Sequence, residues 1–192
     1  MDSISKFISV AIVAIFAENI VFVHALGTSV VIEAVRSVKT YLKMFFVLTV
    51  ISTIASGVSY FVDKSFLARA YPSALLPVIY VLILSAVYIA ILLILYKLFP
   101  SLFSAIKKYI HLCAFNCAIF GSLFINTNSG GSFVSYIGFG FGTGIGLMLS
   151  LLLVYIGSEK LKKAVIPKAF EGTPAMLIYI GVLSAVFYGL TI

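Results

Sequence analysis

Six mostly apolar stretches of about 20 residues, separated by short polar connectors, constrain this chain more than any other feature. They cover about 4–26, 44–62, 73–96, 109–126, 133–156 and 173–192. A bilayer core about 30 Å thick is crossed by a helix of about 20 apolar residues. The third stretch carries no charged residue, and well inside the others stand only Lys6, near an end, and Glu18, near a middle. The sequence therefore predicts an all-α integral membrane protein of six transmembrane helices.

Composition points the same way. Apolar residues make up 62% of the chain and charged residues 10%, with a mean hydropathy of +1.21. A soluble domain is nearer half apolar and a quarter charged. Six spans use most of the 192 residues, so a single membrane domain over 1–192 is expected, with no separate soluble domain. The apolar start runs through Glu18-Asn19 without a convincing small-residue cleavage site, which argues against a removable signal peptide.

The net charge of +7 has an ordinary source. Connectors one, three and five carry Arg36, Lys39, Lys43, Lys97, Lys107, Lys108, Lys160, Lys162, Lys163 and Lys168, ten of the thirteen basic residues. Cytoplasmic loops retain positive charge, so both termini are expected outside the cytoplasm. Topogenic charge explains the basic residues better than nucleic-acid binding does.

The first and fourth spans concentrate polar residues. The first holds Glu18-Asn19, then His24 and Leu26-Gly27-Thr28-Ser29; the fourth holds His111, Cys113 and Asn116-Cys117. Asn19 and Asn116 are 97 residues apart, almost half the chain. Two halves of three spans each, about 1–98 and 99–192, give the outline of an inverted-topology repeat. In such folds, interrupted helices meet near the midplane. Helices 1 and 4 are thus expected to be broken.

Each polar residue has a functional and a structural reading. An ionised Glu18 at mid-bilayer costs several kcal/mol unless paired, hydrated or protonated. It reads equally as a pathway or redox-site group and as a neutral cap or subunit contact. Asn19 and Asn116 suit the satisfaction of unwound backbone, and His24 and His111 suit packing near span ends. Cys113 and Cys117, four apart, share a helix face. They are either small apolar packing or half of a four-cysteine iron–sulfur site. Gly138, Gly140, Gly142, Gly144 and Gly146 lack the Gly-Lys-Ser/Thr ending of a phosphate loop. Gly142 and Gly146 instead form a small-xxx-small pair for close helix packing.

Together, Glu18-Asn19 with Leu26-Gly27, and Asn116-Cys117-Ala-Ile-Phe-Gly121, resemble the small membrane subunits of the Rnf and Nqr redox-driven ion pumps, closest to the RnfA/NqrE branch. A looser match covers Tyr136–Gly146 and Pro167 through Gly189. The resemblance implies a membrane subunit paired with a homologous partner of opposite topology, alongside flavin and iron–sulfur subunits. It further implies a [2Fe–2S] cluster shared within that pair, carrying electrons across the bilayer, and coupling to Na⁺ or H⁺ translocation. Cys117 matches one family ligand position, with Cys113 as a second candidate. The other family cysteine position holds Ser29, a hard and rarely deprotonated donor. Glu18, Asn19 and Asn116 would shape the polar midplane. No flavin- or nucleotide-binding signature appears, so the chain is expected to be at most a non-catalytic subunit. Two rivals remain: a cluster-free paralogue serving as structural partner or small transporter, and an unrelated secondary transporter built on Glu18.

Overall fold

The computed structural model describes residues 3–35, 38–64, 75–98, 100, 103–104, 110, 116–129 and 131–189. Cys113 and His111 lie outside the described residues. The described elements are helical: α1 (Ser3–Ile15), α2 (Thr28–Ala34), α3 (Val38–Lys64), α4 (Leu76–Leu98), α5 (Cys117–Ser129), α6 (Phe133–Leu161) and α7 (Thr173–Tyr188), with a 3₁₀ turn at Lys168–Phe170. Within these helices, Phe45–Lys64, Leu76–Leu98 and Phe133–Leu161 are long and apolar enough to cross a membrane. Ser3–Ile15, Cys117–Thr127 and Thr173–Tyr188 are shorter apolar helices. The chain is a multi-pass membrane protein.

Several expected boundaries shift. The first apolar stretch is helical only to Ile15, and the chain from 16 to 27 is irregular. The second continues to Lys64 and the fifth to Leu161, so Asp63 and Lys160 are helical rather than in connectors. Hydropathy marks where a helix becomes too polar for lipid, whereas the backbone hydrogen bonds persist for another turn.

The central element is α6, which packs most extensively on α3 and α1 and also touches α2, α5 and α7. At about 1.5 Å per residue, its 29 residues run for roughly 44 Å. The glycines make the packing possible. A Cβ at Gly142 would lie 2.6 Å from the Ala11 carbonyl oxygen of α1. One at Gly144 would lie 2.6 Å from the Thr49 Cα of α3. Residues two apart on a helix point about 200° apart, so alternating glycines clear two opposite faces for two neighbours. The small-xxx-small expectation at Gly142 and Gly146 is met on the α1 side, against Ala11, Ala14 and Ile15.

Outer surfaces follow from the solvent being lipid. On α1, Ile4, Ile8 and Ile12 are exposed while Ala11 and Ala14 are buried. On α4, Val78, Leu82, Ile89 and Leu93 are exposed while Tyr80, Ile83, Leu84 and Val87 face the bundle. Apolar residues on both faces remove the water-driven amphipathic signal. Past the end of α6, Lys162 Nζ meets Glu159 Oε1 at 2.7 Å, and this hydrogen bond raises the lysine above its ordinary pKa. The pair is solvent-exposed and at most a minor stabiliser.

Candidate functional site

Where α1 stops, the side chain of Asn19 takes over the work of the missing backbone bonds. The Glu18 amide reaches back five residues to the Val13 carbonyl, at 2.8 Å, which loosens the last turn. Asn19 Oδ1 then accepts from the amides of Val21 and Phe22, both at 3.1 Å. Its Nδ2 donates to the carbonyls of Ile15 at 2.8 Å and Gly146 at 3.3 Å. The Ser150 hydroxyl lies 3.0 Å from Oδ1 and 2.9 Å from the Gly146 carbonyl. Asn19 is fully buried, and each of these partners offsets the cost of unpaired backbone away from water.

The irregular segment reverses through Ala25 (φ 56°) and Gly27 (φ 81°) before α2 begins. The Leu26 amide donates to the Ile20 carbonyl at 2.9 Å, and the Val30 and Val31 amides donate to the Gly27 carbonyl. Glycine at 27 is required twice over: its φ is positive, and a Cβ there would lie 2.8 Å from the Ala118 Cβ.

Asn116 opens α5 in a related way. Its Oδ1 accepts from the Ala118 amide at 3.1 Å, and its carbonyl accepts from the amides of Ile119 and Phe120. Its buried Nδ2 has no hydrogen-bond acceptor among the described residues. The irregular segment and the start of α5 touch directly: the Gly27 amide donates to Cys117 Sγ at 3.1 Å. A Cβ at Gly121 would collide with the Leu26 side chain, so the irregular turn of one half lies tight on the helix start of the other.

Depth follows from α6. Gly146, bonded to Asn19, and Leu147, beside Gly27, are at the centre of its span from 133 to 161. The contact between Gly27 and Cys117 is therefore beside the middle of α6.

The remaining candidates fall around this contact. Glu18 Oε2 and His24 Nε2 are 2.7 Å apart, with the carboxylate 40% and the imidazole 30% exposed. His24 is thus Glu18's partner rather than a residue merely packed at a span end. The six-residue separation matches no helical register, so nothing in the sequence marked the pairing. Cys117 is an exposed free thiol at the first position of α5. Ser29 is exposed in the first turn of α2, two residues beyond Gly27.

The donors do not form a complete metal site. Among the described residues no three His, Cys, Asp or Glu side chains group around a common point. A [2Fe–2S] cluster in an all-cysteine setting takes four thiolates. Here Cys117 supplies one thiol, at the first position of α5 and with the Gly27 amide hydrogen aimed at its sulfur. Ser29 supplies a hydroxyl. The residues fit one cluster ligand and not the second.

A helical membrane protein whose irregular segment 16–27 meets the start of α5 beside the middle of α6 is the class these features define. Over residues 7–192 the chain matches the family model described as Rnf-Nqr subunit, membrane protein. It belongs to that family. It is 30% identical over 183 residues to the A subunit of the Na(+)-translocating ferredoxin:NAD(+) oxidoreductase complex of Acetobacterium woodii, covering 95% of each chain. It is 28% identical to the A subunit of the ion-translocating oxidoreductase complex of Syntrophotalea carbinolica, covering 92% of this chain and 91% of the relative. Against the protein of the same description from Actinobacillus pleuropneumoniae it is 29% identical, covering 100% and 97%.

Proposed function

We propose that this chain is a membrane subunit of an Rnf-type ion-translocating oxidoreductase complex, in which it helps carry electrons across the bilayer beside a homologous subunit of opposite topology. The observation that carries this reading is the Gly27 amide bonded to Cys117 Sγ at the centre of α6. It supports two broken helices, one from each half of an inverted repeat, converging where an electron carrier would sit between two subunits. The similarity to the A subunits of ion-translocating oxidoreductase complexes, across almost the whole chain, supports membership of such a complex.

The chain's own residues have definable tasks. Asn19 and Asn116 hold the unwound backbone open at mid-depth. Gly27 lets the turn approach Cys117 and directs an amide hydrogen at its sulfur. Glu18 and His24 present a polar pair partly exposed at that depth, which lipid would penalise and a partner subunit would cover. Cys117 is offered as a ligand of a shared [2Fe–2S] cluster, which would supply one-electron carriage when bound. Ser29 does not complete a thiolate pair, so the partner or Cys113 would have to.

The exposed Ser29 hydroxyl also favours a second reading, a cluster-free paralogue acting as a structural partner or a small transporter. One experiment separates the two. The complex is purified anaerobically with its native partners, and iron, acid-labile sulfide and the reduced-state electron paramagnetic resonance spectrum are measured for wild type and Cys117→Ala. A [2Fe–2S] signal lost in the variant supports the electron-carrying role. Background iron at this site in an intact complex leaves the cluster-free reading.

A further inference from the structure

Away from Cys117, a second polar group is buried where α3 ends, α4 begins, α5 ends and α6 begins. This is the end of the bundle opposite the lysine-rich segment 160–168 that follows α6. Asp63 Oδ1 lies 2.8 Å from the Tyr80 hydroxyl, and Oδ2 lies 2.8 Å from the Thr127 hydroxyl. Thr127 Oγ1 is also 2.9 Å from the Leu123 carbonyl and within hydrogen-bond distance of the Tyr80 hydroxyl. Tyr136, near the start of α6, is close enough to interact electrostatically with the same carboxylate. Asn126 forms one wall, its Nδ2 donating to Ser56 Oγ and the Tyr136 carbonyl. Tyr80 is fully buried, while Asp63 keeps partial exposure at the helix end.

Counting hydrogens shows what this group lacks. The contacts among Asp63, Tyr80, Thr127 and Leu123 are four, and each needs one hydrogen. An ionised Asp63 brings none, and each hydroxyl brings one. If both hydroxyls point at the carboxylate, lone pairs face each other between Tyr80 and Thr127 and between Thr127 and Leu123. The Tyr136 hydrogen can serve the carboxylate but neither of those two contacts. The shortage is one of positive charge among carboxylate, hydroxyl and carbonyl oxygens, which are hard donors of the type that hold hard cations.

We infer that Asp63, Thr127, Tyr80 and the Leu123 carbonyl form a binding site for one small monovalent cation, a proton or a sodium ion, reached from the end of the bundle opposite the lysine-rich segment. A proton on Asp63 Oδ2 would donate to Thr127 and free the threonine hydrogen for Tyr80 or Leu123 with no movement. A sodium ion would sit against the facing oxygen lone pairs and spread the oxygens, each hydroxyl keeping its hydrogen. The other groups around the carboxylate are the phenols of Tyr80 on α4 and Tyr136 on α6, uncharged Thr127 on α5, and Lys64 next to Asp63 on α3. The site stands apart from Cys117 and holds whether or not a cluster is bound there.

The test uses the complex purified with its partners and follows carboxyl infrared difference bands. One arm replaces choline with sodium at constant pH; the other lowers pH without sodium. Sodium binding appears as a shift of the carboxylate stretches, and proton binding as a new carboxylic-acid carbonyl band. In either arm the response disappears in Asp63→Asn. In Thr127→Val, which keeps the carboxylate and removes one oxygen, the response requires about tenfold more ion, the change given by about 1.4 kcal/mol of lost contact. A carboxylate band that answers to neither ion, or bands unchanged by both substitutions in folded complex, would show a fixed hydrogen-bonded clasp and overturn the inference. Because the readout does not depend on iron at Cys117, its failure is distinct from failure of the electron-carrying reading.

Discussion

Asn19 and Asn116 both satisfy backbone amides at the edge of a helix, with unequal completeness. Asn19 uses both ends of its carboxamide, reaching its own turn, the preceding helix and the centre of α6. Asn116 uses its oxygen to start α5 and leaves a buried N–H₂ without a described acceptor, next to an exposed thiol. The first is an internal joint closed by its own chain. The second leaves a buried donor without a described acceptor beside an exposed sulfur. Sequence identity between two asparagines thus conceals a division of labour: one holds the fold, the other borders the site.

The comparison can be broken most severely at Asn19. Asn19→Ala strands two backbone amides and removes contacts to Ile15, Gly146 and Ser150, so it is expected to cost about 3 kcal/mol or more. Thermal unfolding in detergent should show a large drop or no folded protein; a fall of only a degree or two would mean that Asn19 is not the joint. Gly142→Val comes next. The added side chain would press on the Ala11 carbonyl, with an expected cost of about 1–3 kcal/mol, read as lost stability and increased protease access to α1.

Asn116→Ala should cost less than either, about 1 kcal/mol, because the Ala118 amide loses its cap and the Cys117 thiol loses a long 3.7 Å contact. Equal losses at Asn19 and Asn116 in the same unfolding assay would erase the distinction drawn between them. Smallest in stability should be Cys117→Ala, within about 1 kcal/mol, since an exposed sulfur accepts a single amide. Its effect belongs to the electron-carrying assay instead. A large stability loss there would make Cys117 a packing residue.

Much of the helical framework was legible because lipid imposes a crude requirement on composition. Stretches 44–62, 73–96, 133–156 and 173–192 correspond to helices in α3, α4, α6 and α7, displaced by a few residues at their ends. The break near Asn19 and the helix start after Asn116 were also foreshadowed, because polar residues inside apolar stretches are costly without a purpose. Gly142 and Gly146 announced a close helix contact. The opposite face, with Gly140 and Gly144 against Ser52, Ser56 and Thr49, did not stand out, since it needed the position of α3.

The site was less legible. Cys117 stands out in the sequence as a possible ligand, yet its bond to Gly27 joins residues 90 apart and has no local signature. Glu18 and His24 meet only because the backbone between them is irregular. Asp63 lay just past the expected end of a span, so its apposition to Tyr80 and Thr127 was invisible to hydropathy.

By itself, the sequence determined that this chain would live in a bilayer as helices, and that two of its apolar stretches would carry polar interruptions. Those are consequences of transfer free energy and backbone hydrogen bonding, which act on each segment separately. Only the tertiary structure decided that Gly27 would meet Cys117, that Asn19 would be closed while Asn116 stayed open, and that four helix ends would gather oxygens around Asp63. Such meetings depend on how closely glycine-cleared helices approach one another, and that distance is a property of pairs.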